Sequence, residues 1–128
     1  MKMHLESSVQ KLISNYGIGV LSVNGEDFSS NIMITGSRVI ERWFEGPLCD
    51  LRISHFDPLF DPIEPQLPEI LVLGSGSEHE FPDFALIAEL KQRGIAMEVM
   101  NTRAACRTYS VLVNEHRPVA AALIQLDK

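Results

Sequence analysis

Two arginines stand near the start of a predicted helix, where the electrostatics of the helix disfavour them. Arg103 and Arg107 follow the polar pair Asn101-Thr102, which ends a strand-like run. The free N–H groups at a helix N-terminus already carry positive charge, and like charges one turn apart on the same face repel each other. A bound anion would offset both costs and would also use the free N–H groups. The alternative is that Glu98, Glu115 or another carboxylate pairs with the arginines.

A glycine-containing turn is expected to lie beside this helix start. Gly74-Ser75-Gly76 ends the apolar run 70–73, and the ligands of open α/β sheets bind beyond the carboxyl ends of the strands. The turn lacks the third glycine of a dinucleotide motif, and Pro82 delays the next helix, so the glycines alone are weak evidence. The residues predicted to bind a small anion or another small ligand are Gly74, Ser75, Gly76, Asn101, Thr102, Arg103 and Arg107.

No complete set of catalytic or metal-binding residues is apparent in the sequence. Cys106 would have a lowered pKa in the first turns of a helix beside an arginine, but its helical angle points it inward, so we interpret it as a small buried thiol. Glu115 follows the helix and is interpreted as an ion-pair partner of Arg117. The histidines lack a second ligand at helical spacing, so we predict no metal site. These histidines are His4, His55, His79 and His116.

The composition is that of an ordinary globular protein with an acidic balance. In 128 residues, 17 Asp and Glu stand against 11 Lys and Arg, which gives a formal net charge of −6, and 45% of the residues are hydrophobic. Nucleic acids and anionic membrane surfaces both require a basic face, so neither is predicted as a partner. No apolar run approaches the ~20 residues that span a bilayer, and residues 1–15 lack a signal-peptide pattern. We therefore predict one domain over residues 1–128 and a cytoplasmic location.

The first half of the chain is rich in strand signals. Three strands are predicted, over residues 17–23, 28–34 and 39–44. Asn24-Gly25 is a strong two-residue hairpin signal, so the pattern predicts an antiparallel meander with Trp43 as a core anchor. Ahead of it, Val9, Leu12 and Ile13 indicate either a helical turn or a lead-in segment.

A proline-rich connection follows at residues 45–68. Five of the seven prolines fall here, and each restricts regular structure around it. One short helical turn is expected within residues 51–60, with apolar side chains that pack on the domain. These side chains belong to Leu51, Ile53, Phe56, Leu59 and Phe60. We also expect this apolar segment to form a docking edge for a partner.

The second half of the chain alternates between strand and helix patterns. Apolar strands are expected at residues 70–73, 95–100 and 118–126. Between them lie a helix that Gly94 caps and a helix that runs from an N-cap at Thr102 to about Glu115. The inner face of the first helix should carry Phe84, Leu86, Ile87 and Leu90, and that of the second Ala105, Thr108, Tyr109, Leu112 and Val113. This alternation predicts parallel strands with right-handed crossovers.

Several motifs of the chain match one known protein family. They are residues 98–109, Leu112, Glu115, Arg117, residues 119–123, residues 73–76, residues 81–82, Asn24-Gly25 and Trp43. With these motifs the chain resembles the bacterial branch of the MTH-type domain family, which includes the mitochondrial respiratory complex I assembly factor three and an adipogenesis-associated protein. The resemblance implies an α/β fold of three layers with a mixed central sheet, in agreement with a C-terminal β-α-β-α-β unit and an N-terminal antiparallel hairpin or meander. The family has no established enzymatic activity, and the resemblance implies no cofactor.

Three residues depart from the usual pattern of this family. Asn101 stands where bacterial members usually carry Asp, which removes a carboxylate from the helix start. Ser110 replaces a usual Asn. His116 replaces a usual Gly, so we expect the helix to end differently here, at a cost of about 1 kcal/mol if the backbone keeps a positive φ.

Two functions are predicted from these observations. The first, which the resemblance favours, is a non-enzymatic protein-interaction or complex-assembly module with a protein partner. The alternative is a domain that binds a small anion or another small ligand, or an uncharacterised enzyme, built on the start of the helix after Thr102.

Overall fold

The computed structural model describes residues 10–128 and has an α/β architecture with two sheets. Within this range the strands are β1 (Ile13–Gly17), β2 (Val20–Val23), β3 (Glu26–Phe28), β4 (Ile32–Ile34), β5 (Val39–Glu41), β6 (Ile70–Gly74), β7 (Ala96–Met100) and β8 (Val119–Leu123). The α-helices are α1 (Phe84–Gln92) and α2 (Thr102–Asn114), and two 3₁₀ helices span Leu48–Asp50 and Ile53–Phe60. The predicted fold class is confirmed.

The larger sheet has five strands in the order β5-β4-β8-β6-β7. β6 pairs in parallel with β7 and β8, as the alternation of strands and helices predicts. β4 pairs antiparallel with β5 and β8, so the sheet is mixed. β8 has the sequence Val-Ala-Ala-Ala-Leu and is buried along its whole length, because other elements cover both faces of the sheet.

The smaller sheet is the antiparallel meander β1-β2-β3. Asn24 (φ 51°) and Gly25 (φ 85°) form the predicted turn between β2 and β3, and both lie in the left-handed region that such a turn needs. A second turn, at Ile18 and Gly19 (φ 72°), separates β1 from β2. The single strand predicted over residues 17–23 is therefore wrong, because a left-handed glycine reverses the chain within it.

The meander predicted over residues 17–44 is divided between the two sheets. β3 ends at Phe28, and β4 pairs with β5 and β8 instead of with β3. Asn31 fixes this break, because its side chain donates to the Phe44 carbonyl (2.8 Å) and accepts from the Gln125 N–H (2.8 Å). All three residues of β4 are buried. A strand covered on both faces shows no alternation, so its place in the larger sheet was not visible in the sequence.

The start of the described chain is a lead-in segment to the smaller sheet. Ile13 begins β1, and the Leu12 N–H donates to the Asn24 side chain at 2.8 Å. A helical turn at these two residues is therefore wrong, while Val9 and His4 lie outside the described residues.

Two apolar cores cover the faces of the five-stranded sheet and give the fold its three layers. On one face, Trp43, Phe56 and Leu90 pack with α1 and the longer 3₁₀ helix. On the other face, α2 and the smaller sheet pack around Leu21 and Tyr109. Trp43 is confirmed as a core anchor, and its indole N–H donates to the Leu123 carbonyl at 3.1 Å.

The proline-rich connection packs its apolar side chains into the first of these cores. Leu51, Phe56 and Leu59 are 1%, 0% and 2% exposed, and Ile53 and Phe60 are partly buried against the same core. The predicted helical turn is confirmed as the 3₁₀ helix Ile53–Phe60. Three of the five side chains are therefore not available to a partner, and a docking edge at this segment stays a prediction.

Helix α1 is capped at both ends by local interactions. The Asp83 side chain accepts a hydrogen bond from the Ala85 N–H (2.9 Å), and Gly94 (φ 92°) follows the last turn as predicted. Leu86 and Leu90 are buried and Ile87 is half-buried, in agreement with the predicted inner face. Phe84 is 69% exposed, so its assignment to this face is wrong.

Helix α2 begins one residue earlier than an N-cap at Thr102 would require. Asn101 is the N-cap, and its side-chain oxygen accepts a hydrogen bond from the Ala104 N–H at 2.9 Å. The predicted N-cap at Thr102 is wrong, because the Thr102 hydroxyl is bonded to other segments. Within the helix, the buried residues are Thr102, Ala105, Cys106, Tyr109 and Val113, while Thr108 and Leu112 are half-buried.

Candidate functional site

The ends of β6 and β7 bring the predicted ligand-binding residues to one edge of the sheet. Gly74 lies opposite Met100 in the parallel register, and the Ser75 N–H donates to the Met100 carbonyl at 2.9 Å. Asn101 then caps α2, so the glycine turn and the helix start meet. Parallel pairing places the carboxyl ends of neighbouring strands together, which explains why the sequence predicts this proximity.

The buried hydroxyl of Thr102 ties three segments together at this edge. It accepts a hydrogen bond from the Gly76 N–H (2.8 Å) and donates one to the Ile124 carbonyl (2.7 Å). The Thr102 N–H donates in turn to the Gly76 carbonyl (2.8 Å). Gly74 allows this approach, because an added Cβ would lie 2.8 Å from the Thr102 hydroxyl oxygen and 3.0 Å from Leu123 Cδ2. We call Gly74, Gly76, Thr102 and Ile124 the threonine lock.

Four backbone N–H groups at this edge already have partners within the protein. Asn101 uses its side chain for the Ala104 N–H and its carbonyl for the Ala105 N–H, each at 2.9 Å. The threonine lock occupies the N–H groups of Gly76 and Thr102. These contacts give the junction a structural role whether or not an anion binds beside it.

Arg103 and Arg107 contact different neighbours. Arg103 Nη2 donates to the main-chain oxygen of Lys128 at 3.4 Å, and Arg107 Nη1 donates to the Tyr16 hydroxyl at 3.2 Å. Within residues 10–128 neither guanidinium forms a salt bridge, so the alternative of a carboxylate partner is not found. The anion site at these arginines stays a prediction.

Burial makes Cys106 a poor nucleophile. The residue is 1% exposed, and burial raises the pKa of its thiol to about 12, although the charge of Arg107 acts in the opposite direction. Burial also raises the pKa of Tyr109, whose hydroxyl donates to the Lys11 carbonyl at 2.7 Å. The interpretation of Cys106 as a buried thiol is confirmed.

The other polar residues singled out in the sequence make structural contacts. Arg117 forms its ion pair with Glu69 (3.7 Å), so the predicted pair with Glu115 is wrong. His55 accepts a hydrogen bond from the Arg52 N–H (2.9 Å) at the start of the longer 3₁₀ helix. In the part of the chain that the structure describes, no group of three or more His, Cys, Asp or Glu is placed to hold a metal ion.

The departure at His116 keeps the backbone geometry of a glycine. His116 follows α2 with φ 60°, so the positive φ is retained and the replacement carries the strain of a left-handed conformation. Its side chain lines a cleft of about 500 Å³ together with Tyr109 and Arg117. This cleft lies at the amino ends of β6 and β8, at the opposite edge of the sheet from the threonine lock.

Three exposed rings form a surface that the sequence analysis missed. The His79 and Phe81 rings are 4.8 Å apart, and the Phe81 and Phe84 rings are 5.5 Å apart, measured between centroids. Phe81 is 54% exposed and Phe84 is 69% exposed. The helical period could have predicted this exposure, because an angle of ~200° between Phe84 and the buried Leu86 places the two side chains on opposite faces of α1. We call His79, Phe81 and Phe84 the aromatic surface.

Hydrogen bonds to Ser75 shape the loop that carries the aromatic surface. The Ser75 hydroxyl donates to the Glu78 carbonyl (2.7 Å) and accepts from the Glu80 N–H (3.1 Å). Ser75 is itself joined to the end of β7 through Met100. The rings of His79 and Phe81 are therefore held on a short loop tied to the sheet.

A family model matches most of this chain. It is described as a protein of unknown function (DUF498/DUF598), and it matches residues 13–124. The chain belongs to this family. The resemblance recognised in the sequence is confirmed, because solved relatives include an Mth938-like domain from Bordetella pertussis, 28% identical with a TM-score of 0.73, covering 91% of this chain and 86% of that one.

Two further relatives cover nearly the whole chain. The protein named NADH dehydrogenase [ubiquinone] 1 alpha subcomplex assembly factor 3 of Danio rerio is 35% identical over 122 residues, covering 95% of this chain. The alignment takes in 68% of that protein, so the chain spans about two thirds of its length. A crystal structure of a Bordetella parapertussis protein is 27% identical with a TM-score of 0.81 and covers 93% of this chain and 98% of that one.

The described helices are short compared with the thickness of a bilayer. Among residues 10–128, none is long and apolar enough to cross a membrane.

Proposed function

We propose that this protein is an interaction module that acts in the assembly of a protein complex and contacts its partner through the aromatic surface. The homologous Danio rerio protein carries the name of an assembly factor, which supports the class of function. The observation that carries the proposal is the exposure of Phe81 and Phe84, at 54% and 69%. A cytoplasmic location stays a prediction, which fractionation of native cells would test.

Exposed aromatic rings are suited to dominate an interface. Burying what remains exposed on Phe81 and Phe84 would remove on the order of 200 Å² of apolar surface, worth about 5 kcal/mol before the costs of association. Clusters of aromatic side chains supply much of the binding energy in protein interfaces. The aromatic surface therefore offers a compact anchor for a partner.

The aromatic surface is held in place before any partner binds. Phe84 is the first residue of α1, which the Asp83 side chain caps, and Phe81 contacts Phe84 ring to ring. The Ser75 hydroxyl fixes the loop that precedes them. Since little ordering would be needed on binding, little of the binding energy is lost to conformational entropy.

Site-specific crosslinking tests the proposed function. A photo-crosslinking amino acid placed at Phe84 in native cells should give discrete covalent adducts with a partner protein. The same residue at Val111, which is 55% exposed on α2, serves as a control for general exposure. Adducts of equal yield at both positions, or none at Phe84, would contradict the proposal.

Binding of a small anion at Arg103 and Arg107 is a second candidate function. It is favoured by the lack of a salt bridge to either guanidinium within residues 10–128. Phosphate or sulfate should then raise the melting temperature saturably, and Arg107→Ala should abolish the rise. Arg117→Ala, which removes another exposed arginine, is the matched control. An unchanged melting temperature across a panel of anions would exclude this function.

A further inference from the structure

We infer that the partner meets the aromatic surface with a cationic segment, whose arginine or lysine side chains lie against the exposed rings. This inference rests on the proposed function and adds the chemistry of the partner to it. Two independent features of the surface support it, namely the geometry of the rings and the charge of their surroundings.

Much of the Phe81 and Phe84 side chains is exposed to solvent. The planes of His79 and Phe81 are tilted by 47°, and those of Phe81 and Phe84 by 38°, so the three rings do not stack and seal each other's faces. The face of an aromatic ring attracts a cation, arginine most often. The chain already contains one such contact, because the Arg93 guanidinium lies 5.0 Å from the centre of the Phe60 ring.

The chain segment that carries the aromatic surface is acidic, and Lys91 is the first basic residue after it. The stretch from residue 77 to residue 90 contains no Lys or Arg, and its acidic residues are all exposed: Glu78, Glu80, Asp83 and Glu89. Glu78 forms a salt bridge with Lys128 at 3.2 Å. Within residues 10–128 the carboxylates of Glu80, Asp83 and Glu89 form no salt bridge. The region therefore attracts positive charge from outside the chain.

The same charges disfavour the other occupants of the surface. A second copy related by two-fold symmetry would bring these carboxylates against their own copies, which adds like-charge repulsion in a chain of net charge −6. Nucleic acids and anionic membranes carry the same sign of charge and would be repelled. A cationic protein segment can interact favourably with both the aromatic rings and the carboxylates.

Titration of the ¹⁵N-labelled protein with a short arginine-containing peptide tests this inference. The amide signals of residues 78–85 should shift, while an otherwise identical glutamate peptide should leave them unchanged. Phe81→Ala and Phe84→Ala should each weaken binding at least about fivefold, and Glu80→Gln about two- to threefold with a smaller dependence on salt. Val111→Ala removes an apolar side chain of α2 that is about as exposed as Phe81, and it should leave the affinity for the peptide unchanged.

Three outcomes would overturn the inference. The first is peptide-induced shifts that fall outside residues 78–85 or that survive both phenylalanine substitutions. The second is equal binding of the glutamate peptide. The third is that the same signals shift with protein concentration alone, which would assign the surface to a second copy.

The crosslinking experiment distinguishes failure of this inference from failure of the proposed function. An adduct at Phe84 whose partner peptide carries no Lys or Arg beside the crosslink would refute the cationic segment and leave the interaction module standing. Absence of any adduct at Phe84 would refute both.

Discussion

Replacing Thr102 by valine is expected to lower the free energy of unfolding by about 3 kcal/mol. Valine has nearly the shape and helix propensity of threonine, so the substitution removes little besides the hydroxyl. The Gly76 N–H and the Ile124 carbonyl would then each lose a partner at a residue that is 0% exposed. An unsatisfied buried group costs about 1–3 kcal/mol, so two cost about 2–6 kcal/mol, less a small gain from the extra methyl group.

Urea denaturation measures this loss. The transition midpoint should fall for Thr102→Val while the slope of the free energy against urea concentration stays constant. Thr108→Val is the matched control on the same helix, because Thr108 is half-buried and its hydroxyl makes no hydrogen bond within residues 10–128. That control should change stability by less than about 0.5 kcal/mol. Thr102→Ser keeps the hydroxyl and loses one methyl group, and should cost about 1 kcal/mol.

Two results would refute this reasoning about the threonine lock. Equal and small losses for Thr102→Val and Thr108→Val would show that the hydroxyl does not hold the junction together. A serine variant as unstable as the valine variant would assign the effect to packing of the methyl group instead of to the two hydrogen bonds.

Three further predictions follow from single residues. Gly74→Ala should lower the free energy of unfolding by about 1–3 kcal/mol, because the added Cβ would lie 3.0 Å from the Thr102 backbone. At Gly17 an added Cβ would have no contact closer than 3.8 Å, so Gly17→Ala should be nearly neutral in the same denaturation assay. A thiol reagent at pH 8 should modify the exposed Cys49 and leave Cys106 unmodified, since a pKa of about 12 keeps that thiol protonated; rapid labelling of both in the native protein would contradict the burial. His116→Gly should raise the free energy of unfolding by about 1 kcal/mol by relieving the left-handed strain at φ 60°, and a lower melting temperature would contradict this.

The parts of the fold that were predicted correctly depend on short stretches of sequence. Asn24-Gly25 specifies its own turn, because both residues tolerate positive φ. The apolar run that became β6 (Ile70–Gly74) and the two later strands are separated by the two α-helices. This order is sufficient to predict parallel pairing and hence the meeting of Gly74 with Met100. Membership of the family was also readable from motifs, most of them in the second half of the chain.

The errors fall where distant residues decide the outcome. β4 (Ile32–Ile34) is too short for a period to appear, and its pairing with β8 depends on residues about ninety positions later in the chain. Phe84 is a large apolar residue of a type that is usually buried, yet the buried face of α1 is the one that carries Leu86 and Leu90. The exposed aromatic surface was therefore visible only after packing was known.

The candidate site shows the same division between sequence and tertiary structure. The sequence by itself determined the family, through its motifs. It also determined the strand–helix order and the edge of the sheet where the glycine turn and the start of α2 meet, because local periodicity and turn chemistry encode them. Only the tertiary structure decided that the Thr102 hydroxyl bonds to Ile124 and that Arg103 and Arg107 lack a carboxylate partner within residues 10–128. Hydrogen bonds and burial between residues remote in the chain leave no periodic trace in the sequence, so their geometry appears only when the layers are packed.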